Sequence, residues 1–544
     1  MNSPRLYSIA AFCTVYVLLG TALWAQVAAP RPHGIPHDWS EHTIAFSLDG
    51  LALNPDLINQ EPRIQHQLWQ RFQQPRSSEA LPGTESDTGS LLADQHRDWA
   101  FDLVRGHVPT GMFPAKYSFD PSAPPSCTND FVVFGLNTAG STGGQANLVG
   151  LDNLYAGSGG LCTTGPTAKF AYNATTVAGG KIVTSVVLSL DGSQIAFVES
   201  TGTASVFHVL KWTANQGTIS NAAAPGAAMS SLPYSGNATT TSSPWIDYSD
   251  DAVYLSDDKG IMYKISPVFT GAPALVTTSP WPITVASGTR LTPPVLDRSR
   301  GMLLAGARNG DFYEINTTSG AVSALIIGAH GAFNAGIFAP PIVDITNGTA
   351  FVISSNNGHG AAVLDQVDTQ LFTVLASATI GEGSSGGTTA VDIYQPALSN
   401  AYYTSPSSGA IYTCGTGQSD TTPWVYSFGF TGRTMLTPPV SSRQLLTSTA
   451  NCSPWTEFFN PNIGANGTDF FFFGLTQDCT GTGTSGCVAE ITATSNTPTM
   501  APVTTGPSGI VVDNWNTTVG QASSIYLTAE GNATAYKFTQ NGLH

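Results

Sequence analysis

The sequence predicts an all-β chain: a single β-propeller of four-stranded antiparallel blades, eight in number with seven as the alternative, closed by an N-terminal strand. Three observations carry this reading. A short phrase recurs about every fifty residues. Each copy opens four short apolar or alternating runs separated by turn residues. The composition also suits many short strands, because charged residues are only 10% of the 544 while Gly (56) and Pro (35) are plentiful. Chains with long surface helices need more Glu and Lys.

The phrase reads Ser-Pro-Trp-Ile-Asp at Ser243 to Asp247 and Pro-Pro-Val-Leu-Asp at Pro293 to Asp297. It returns as Pro-Pro-Ile-Val-Asp at Pro340 to Asp344 and Ser-Pro-Trp-Thr-Glu at Ser453 to Glu457. Weaker copies begin at Ser185 and Gln395, and Ile510 to Asp513 is a divergent last one. The period matches a propeller blade of about 40 to 50 residues. Pro is tolerated where the first run begins, since no ladder donor is needed there. After Pro294 the chain alternates VLD, MLLAGA, DFYEIN and AVSALIIG with RSRG, RNG and TTSG turns. Asn309-Gly310 is a strong hairpin turn because both residues accept positive φ.

An earlier unit fits from about Lys116. The last unit supplies three runs (IVVD, SSIYLTAE and ATAYKFTQ) and then the chain ends. Trp99 to Leu103 is the candidate for its missing fourth strand. Closing the ring this way removes two exposed sheet edges.

Ahead of the propeller (98–544), residues 1–25 read as a signal peptide. Arg5 precedes the apolar run Leu6 to Leu23, and Ala25 offers a cleavage point. An uncleaved anchor is the alternative, since the run sits at the lower limit of about 17 residues for a span. Cys13 has Ala10 where a lipidation motif would place Leu. Residues 26–97 read as an extension and polar linker, with a helix-like stretch from Pro55 to Gln74 interrupted by Pro62.

Six cysteines remain after Cys13, an even number in an exported chain, which favours three disulfides. Six cysteines allow 15 pairings. Spacing suggests Cys127 with Cys162, Cys414 with Cys452, and Cys479 with Cys487 across a Gly/Thr/Ser-rich turn. No CxxC or Cys/His cluster points instead to a metal or redox site.

The formal net charge of −16 argues against nucleic acid or an anionic membrane as partner. The expected partner is a protein or a neutral glycan, and the expected state a monomer with no membrane span in the mature chain.

Ser189 to Val198 (SLDGSQIAFV) resembles the S-x-D-G-x-x-I-A-F repeat of TolB-like propellers, and Pro293 to Gly320 resembles blades of quinoprotein-like propellers. The arrangement from residue 98 onward, with FPAKYSFD ahead of a Cys, resembles uncharacterised secreted propeller proteins of soil bacteria. The resemblance implies fold more than activity. Quinoprotein dehydrogenases carry a Trp shortly after the Thr-Gly of each repeat, where this chain has Ser319-Gly320 followed by AVSALIIG, so no quinone or calcium cofactor is expected. Sialidase-type Asp boxes are absent.

Asp247, Asp297, Asp344, Glu457 and Asp513 recur near the end of the innermost strand. Two readings compete. Convergent at one mouth of the channel, they would bind a cation or do acid/base work. Held singly, each would bond the backbone amides of its own turn, and a need that repeats with the blade favours this. His330 and His359 lie in Gly-rich loops with no partner at metal-ligand spacing. Trp245 and Trp455 share a repeat position and read as core, whereas Trp281 and Trp515 fall outside the phrase and read as surface candidates for stacking on sugars. Sequons such as Asn173, Asn316 and Asn532 matter only if the host glycosylates exported proteins.

The leading functional reading is an exported, non-enzymatic scaffold that binds a protein or glycan through its loop face. The alternatives are a channel-mouth enzyme (lactonase, or glycan hydrolase or lyase) and a cell-envelope assembly factor.

Overall fold

The computed structural model describes residues 35–37, 44–72, 96–118, 125–157, 160–331, 336–383, 392–460, 467–479, 485–514 and 523–539. The leader with Cys13, the polar linker and Trp515 lie outside the described residues.

Eight antiparallel sheets form an eight-bladed propeller. The inner strands of blades 1 to 8 are Ala115–Ser118, Val187–Leu188, Trp245–Asp247, Val295–Asp297, Ile342–Asp344, Ala397–Leu398, Thr456–Asn460 and Val511–Asn514. Seven of these are the recurring phrase itself or one of its weaker or divergent copies. The phrase builds an inner strand because its apolar pair is buried on both sides by neighbouring blades: Ile246, Val295 and Val343 are fully buried. In blade 4 the hairpin after Met302–Gly306 turns at Gly310, whose φ is +85°; a Cβ there would lie 2.8 Å from the Gly328 carbonyl carbon. Only glycine suits both conditions.

Blade 8 takes three strands from the C-terminus and its outer strand, His96–Asp102, from the start of the propeller. Trp99 and Phe101 belong to that strand, as the short last repeat predicts. The joint is ionic inside: Lys537 Nζ lies 2.6 Å from Asp98, and Lys116 Nζ lies 2.9 Å from Asp513, with all four side chains buried. The three disulfides are Cys127–Cys162, Cys414–Cys452 and Cys479–Cys487.

The extension enters the channel. Ile35–His37 pairs antiparallel with the inner strand of blade 1, and Ile44–Ala45 pairs parallel with that of blade 5. In a ring of eight those blades face each other across the axis. Helices Leu48–Leu53, Asp56–Gln60 and Pro62–Phe72 follow. Pro62, which interrupts the helix-like stretch, is the first residue of the third helix, where its missing N–H costs nothing. Ile64, Gln67 and Leu68 recur at helical spacing and are buried, so that face packs on the propeller. Among the described residues no helix is long and apolar enough to cross a membrane.

Candidate functional site

The five recurring acids are buried at inner-strand positions, and each is occupied where it stands. Asp344 is 0% exposed. Its Oδ1 accepts from the amides of Thr346 (3.0 Å) and Asn347 (2.9 Å) and from the Thr346 hydroxyl (2.8 Å). Its Oδ2 accepts from Asn347 Nδ2 and Tyr402 Oη, both at 2.7 Å. Asp247 accepts from the amides of Ser249 and Asp250 and pairs with Arg298 of the next blade's turn. Asp297 accepts from Ser299 Oγ at 2.6 Å, with Arg300 at 4.0 Å. Asp513 pairs with Lys116 across the closure joint. Burial pushes the carboxyls of Asp247, Asp297 and Asp513 above the usual range, against the pull of the neighbouring cations. Glu457 departs from the pattern, because its strand runs on to Asn460 and it pairs with Phe471 within the ladder. Among the described residues no three His, Cys, Asp or Glu side chains are grouped to hold a metal ion.

The mouth where these turns lie is covered on its blade 3 to blade 6 side. Arg63, only 4% exposed, stacks 4.0 Å above the Trp245 ring and donates to the Ile246 carbonyl at 2.8 Å. Ser249 Oγ donates to the Gln60 carbonyl at 2.6 Å. The Ser47 amide donates to Thr346 Oγ1 at 2.7 Å, and Thr346 in turn donates to Asp344. Phe46 packs edge-on against Tyr403 with ring centres 5.2 Å apart. The cap therefore rests on the turns that the acids organise.

The other predicted residues scatter. His330, with 62% of its side chain exposed, lies 2.8 Å from Asp311, whose other oxygen accepts from the hydroxyl of the core residue Tyr313 at 3.0 Å and from Asn309 Nδ2 at 2.8 Å. His359 is exposed on a turn whose amide bonds to Asn357. Trp245 and Trp455 are core residues. Trp281 corrects the sequence reading: it is 6% exposed and packs on Tyr254 at 5.6 Å, so it offers no sugar platform. It falls outside the phrase yet lies just before the outer strand Ile283–Thr284 of blade 3, which seats it on that blade's second strand.

The opposite mouth holds residues that the sequence reading missed. A narrow cavity of about 30 Å³ there is lined by the residues that lead into the inner strands, among them Ser185, Ser243, Pro293, Pro340 and Gln395. Phe338 and Tyr394 stand in its wall. The Arg308 guanidinium lies 3.5 Å above the Phe338 ring. Beside it, Arg290 is taken by Asp258 at 2.7 Å. The signal for Arg308 was a departure from the repeat: blades 3 and 5 place Asp258 and Ser355 at the matching turn position, each donating its amide to the incoming strand connection as Arg308 does.

No protein-family model matches the chain, and no curated protein matches it. Solved structures similar to it include BamB from Moraxella catarrhalis, at 12% identity and a TM-score of 0.46, covering 82% of this chain and 99% of that one. The Dos1 propeller is similar at 13% identity and a TM-score of 0.46, covering 81% and 94%. The dihydro-heme d1 dehydrogenase NirN is similar at 10% identity and a TM-score of 0.41, covering 76% of each chain. At these identities the likeness is one of propeller architecture.

Proposed function

We propose that the protein is an exported, non-enzymatic propeller scaffold, a monomer that binds a protein or glycan partner through its loop face. One observation carries the reading. The chain's own N-terminal segments occupy inner-strand edges on both sides of the channel, and the acids at the capped mouth already have hydrogen-bond or ion-pair partners. A substrate entering by that mouth would have to displace an element that buries Ile44, Phe46, Leu51, Ile64 and Leu68. The three disulfides fit an oxidising compartment, and residues 1–25 acting as a cleaved signal peptide would deliver the chain there. The division into an extension at 26–97 and a propeller at 98–544, and a distant tie to uncharacterised secreted bacterial propellers of the quinoprotein-like and TolB-like superfamily, belong to the same proposal.

The test is turnover against binding. The purified mature protein is incubated with lactones and with neutral and acidic glycans, products are followed by mass spectrometry, and the same panel with candidate proteins is titrated calorimetrically. Saturable binding without product is the expected result. Product formation that D344N abolishes while the fold survives would overturn the scaffold reading in favour of an enzyme.

A further inference from the structure

We propose that the mouth opposite the helical cap is a binding site for a small molecule carrying a single carboxylate, held by the guanidinium of Arg308 on the Phe338 ring. This goes beyond the scaffold reading and stands whether or not a partner docks on the loop face.

Arg308 is a half-buried arginine whose donors are left over. Arg290 holds Asp258 at 2.7 Å, Arg298 holds Asp250 at 2.7 Å, Arg300 holds Glu314 at 2.6 Å and Arg433 holds Asp368 at 2.6 Å. The Arg308 guanidinium, by contrast, makes no hydrogen bond or ion pair among the described residues, although it is half-buried and fixed by its stack on Phe338. A desolvated guanidinium with free N–H groups calls for an acceptor, and a planar carboxylate matches its fork in two parallel bonds. Burial, with Arg290 nearby, pulls its pKa down to about 10, against the opposing pull of Asp392, so it remains charged at neutral pH while lacking a full counter-ion.

A second, independent observation points into the same place. Gln395 is 2% exposed and lines the cavity whose wall includes Phe338 and Tyr394. Its Nε2 is buried and has no hydrogen-bond partner among the described residues. A buried amide donor of this kind normally has an acceptor. The cavity has room for one or two waters or one carboxylate group. Arg308, stacked on the ring of a wall residue, thus offers a cation, and the wall itself an unused neutral donor, beside apolar surfaces from Phe338, Pro293 and Pro340.

The charge around the site selects among anions. Asp392 lies within electrostatic reach of Arg308, and the whole chain carries −16. A dianion such as phosphate meets more repulsion there than a singly charged carboxylate. Two sources share that chemistry, a sugar acid and the terminus of a short peptide, and the test separates them.

The mature full-length protein is titrated by calorimetry with D-galacturonate and with N-acetylglycine. D-galactose and N-acetylglycinamide serve as their uncharged counterparts, and inorganic phosphate as the dianion. At least one carboxylate is expected to bind one-to-one, at least about tenfold tighter than its uncharged counterpart. Which one binds identifies the source. R308Q, whose side chain lies outside the core, is expected to keep the wild-type melting temperature and lose the binding. R308K keeps the charge but loses the fork and should fall about fivefold or more. The proposal is overturned if neither carboxylate binds, if charged and uncharged members bind alike, if phosphate binds more tightly, or if R308Q binds as the wild type does.

Discussion

Asp365 shows what a carboxylate does when no turn receives it. It sits in strand Ala361–Asp368 of blade 5, opposite Ser377, at 3% exposure, and its Oδ1 has no hydrogen-bond partner. Burial pushes its carboxyl up to about 6. The folded state therefore keeps a proton that the unfolded chain gives up near pH 4. Stability from this group is highest below about pH 4, falls as pH rises towards 6, and stays low above. D365N should remove that slope and gain on the order of 2 kcal/mol at pH 7, read from urea unfolding at several pH values. An unchanged slope would mean that the carboxyl is satisfied after all. Glu199 is the opposite case. Burial alone would raise it, but hydrogen bonds from His208, Thr176 and the Val177 amide outweigh that and hold it below its ordinary value. Its contribution is present above about pH 4.5 and lost as pH falls through the depressed value. Neither residue stood out in the sequence. The phrase drew attention to acids that recur, and recurrence marks a turn's need, whereas Asp365 and Arg308 are solitary and only their surroundings reveal them.

Strands and turns were legible because alternation and Gly/Asn punctuation encode them locally. The extension's docking was not. Pairing segments of three and two residues, Ile35–His37 and Ile44–Ala45, are too short to show a period, and their partners lie about 80 and 300 residues away. The helix Leu48–Leu53 went unread although Ser47 Oγ caps the Gly50 amide, because six residues are too few to show a helical period; the Ser47 amide itself donates to Thr346 of blade 5. That contact gives a sharp test. A Cβ on Gly50 would lie 2.3 Å from Thr346 Cβ, so G50V should lift this helix. Hydrogen exchange at the Ser47 amide is expected to accelerate at least tenfold while the inner strands of blades 2 and 4 stay protected; equal protection would mean that the helix docks elsewhere. The disulfides follow loop length. On closure entropy, removing Cys414–Cys452, separated by 38 residues, should cost about 4 kcal/mol, and removing Cys479–Cys487, separated by 8, about 2.5. Denaturant titration of the two double serine variants checks the order, and an inverted order would put local strain ahead of chain entropy.

At the scale of the ring, the repeat period and the short last unit were enough to count the blades and find the closing strand. The polar content of the joint was not, since Asp98 and Lys537 are 439 residues apart and each looks like an ordinary surface charge. D98N should cost about 3 to 5 kcal/mol, because it leaves the Lys537 ammonium buried without its counter-ion. The paired change D98L/K537M should recover most of that. Thermal melts of the three proteins decide it, and a D98N melt equal to wild type would sink the claim that the pair secures the joint. The order in which the parts of that joint emerge has a further consequence. The closing strand is among the first segments of the propeller to be made and its three partners are the last, so the early strand must wait, unpaired, through the synthesis of some four hundred residues. Any product that stops short leaves the strand with open edges and the first blade with an uncovered face. The position of one strand thus makes completeness of the chain a condition of the fold, and an interrupted copy presents itself to proteases as unfinished.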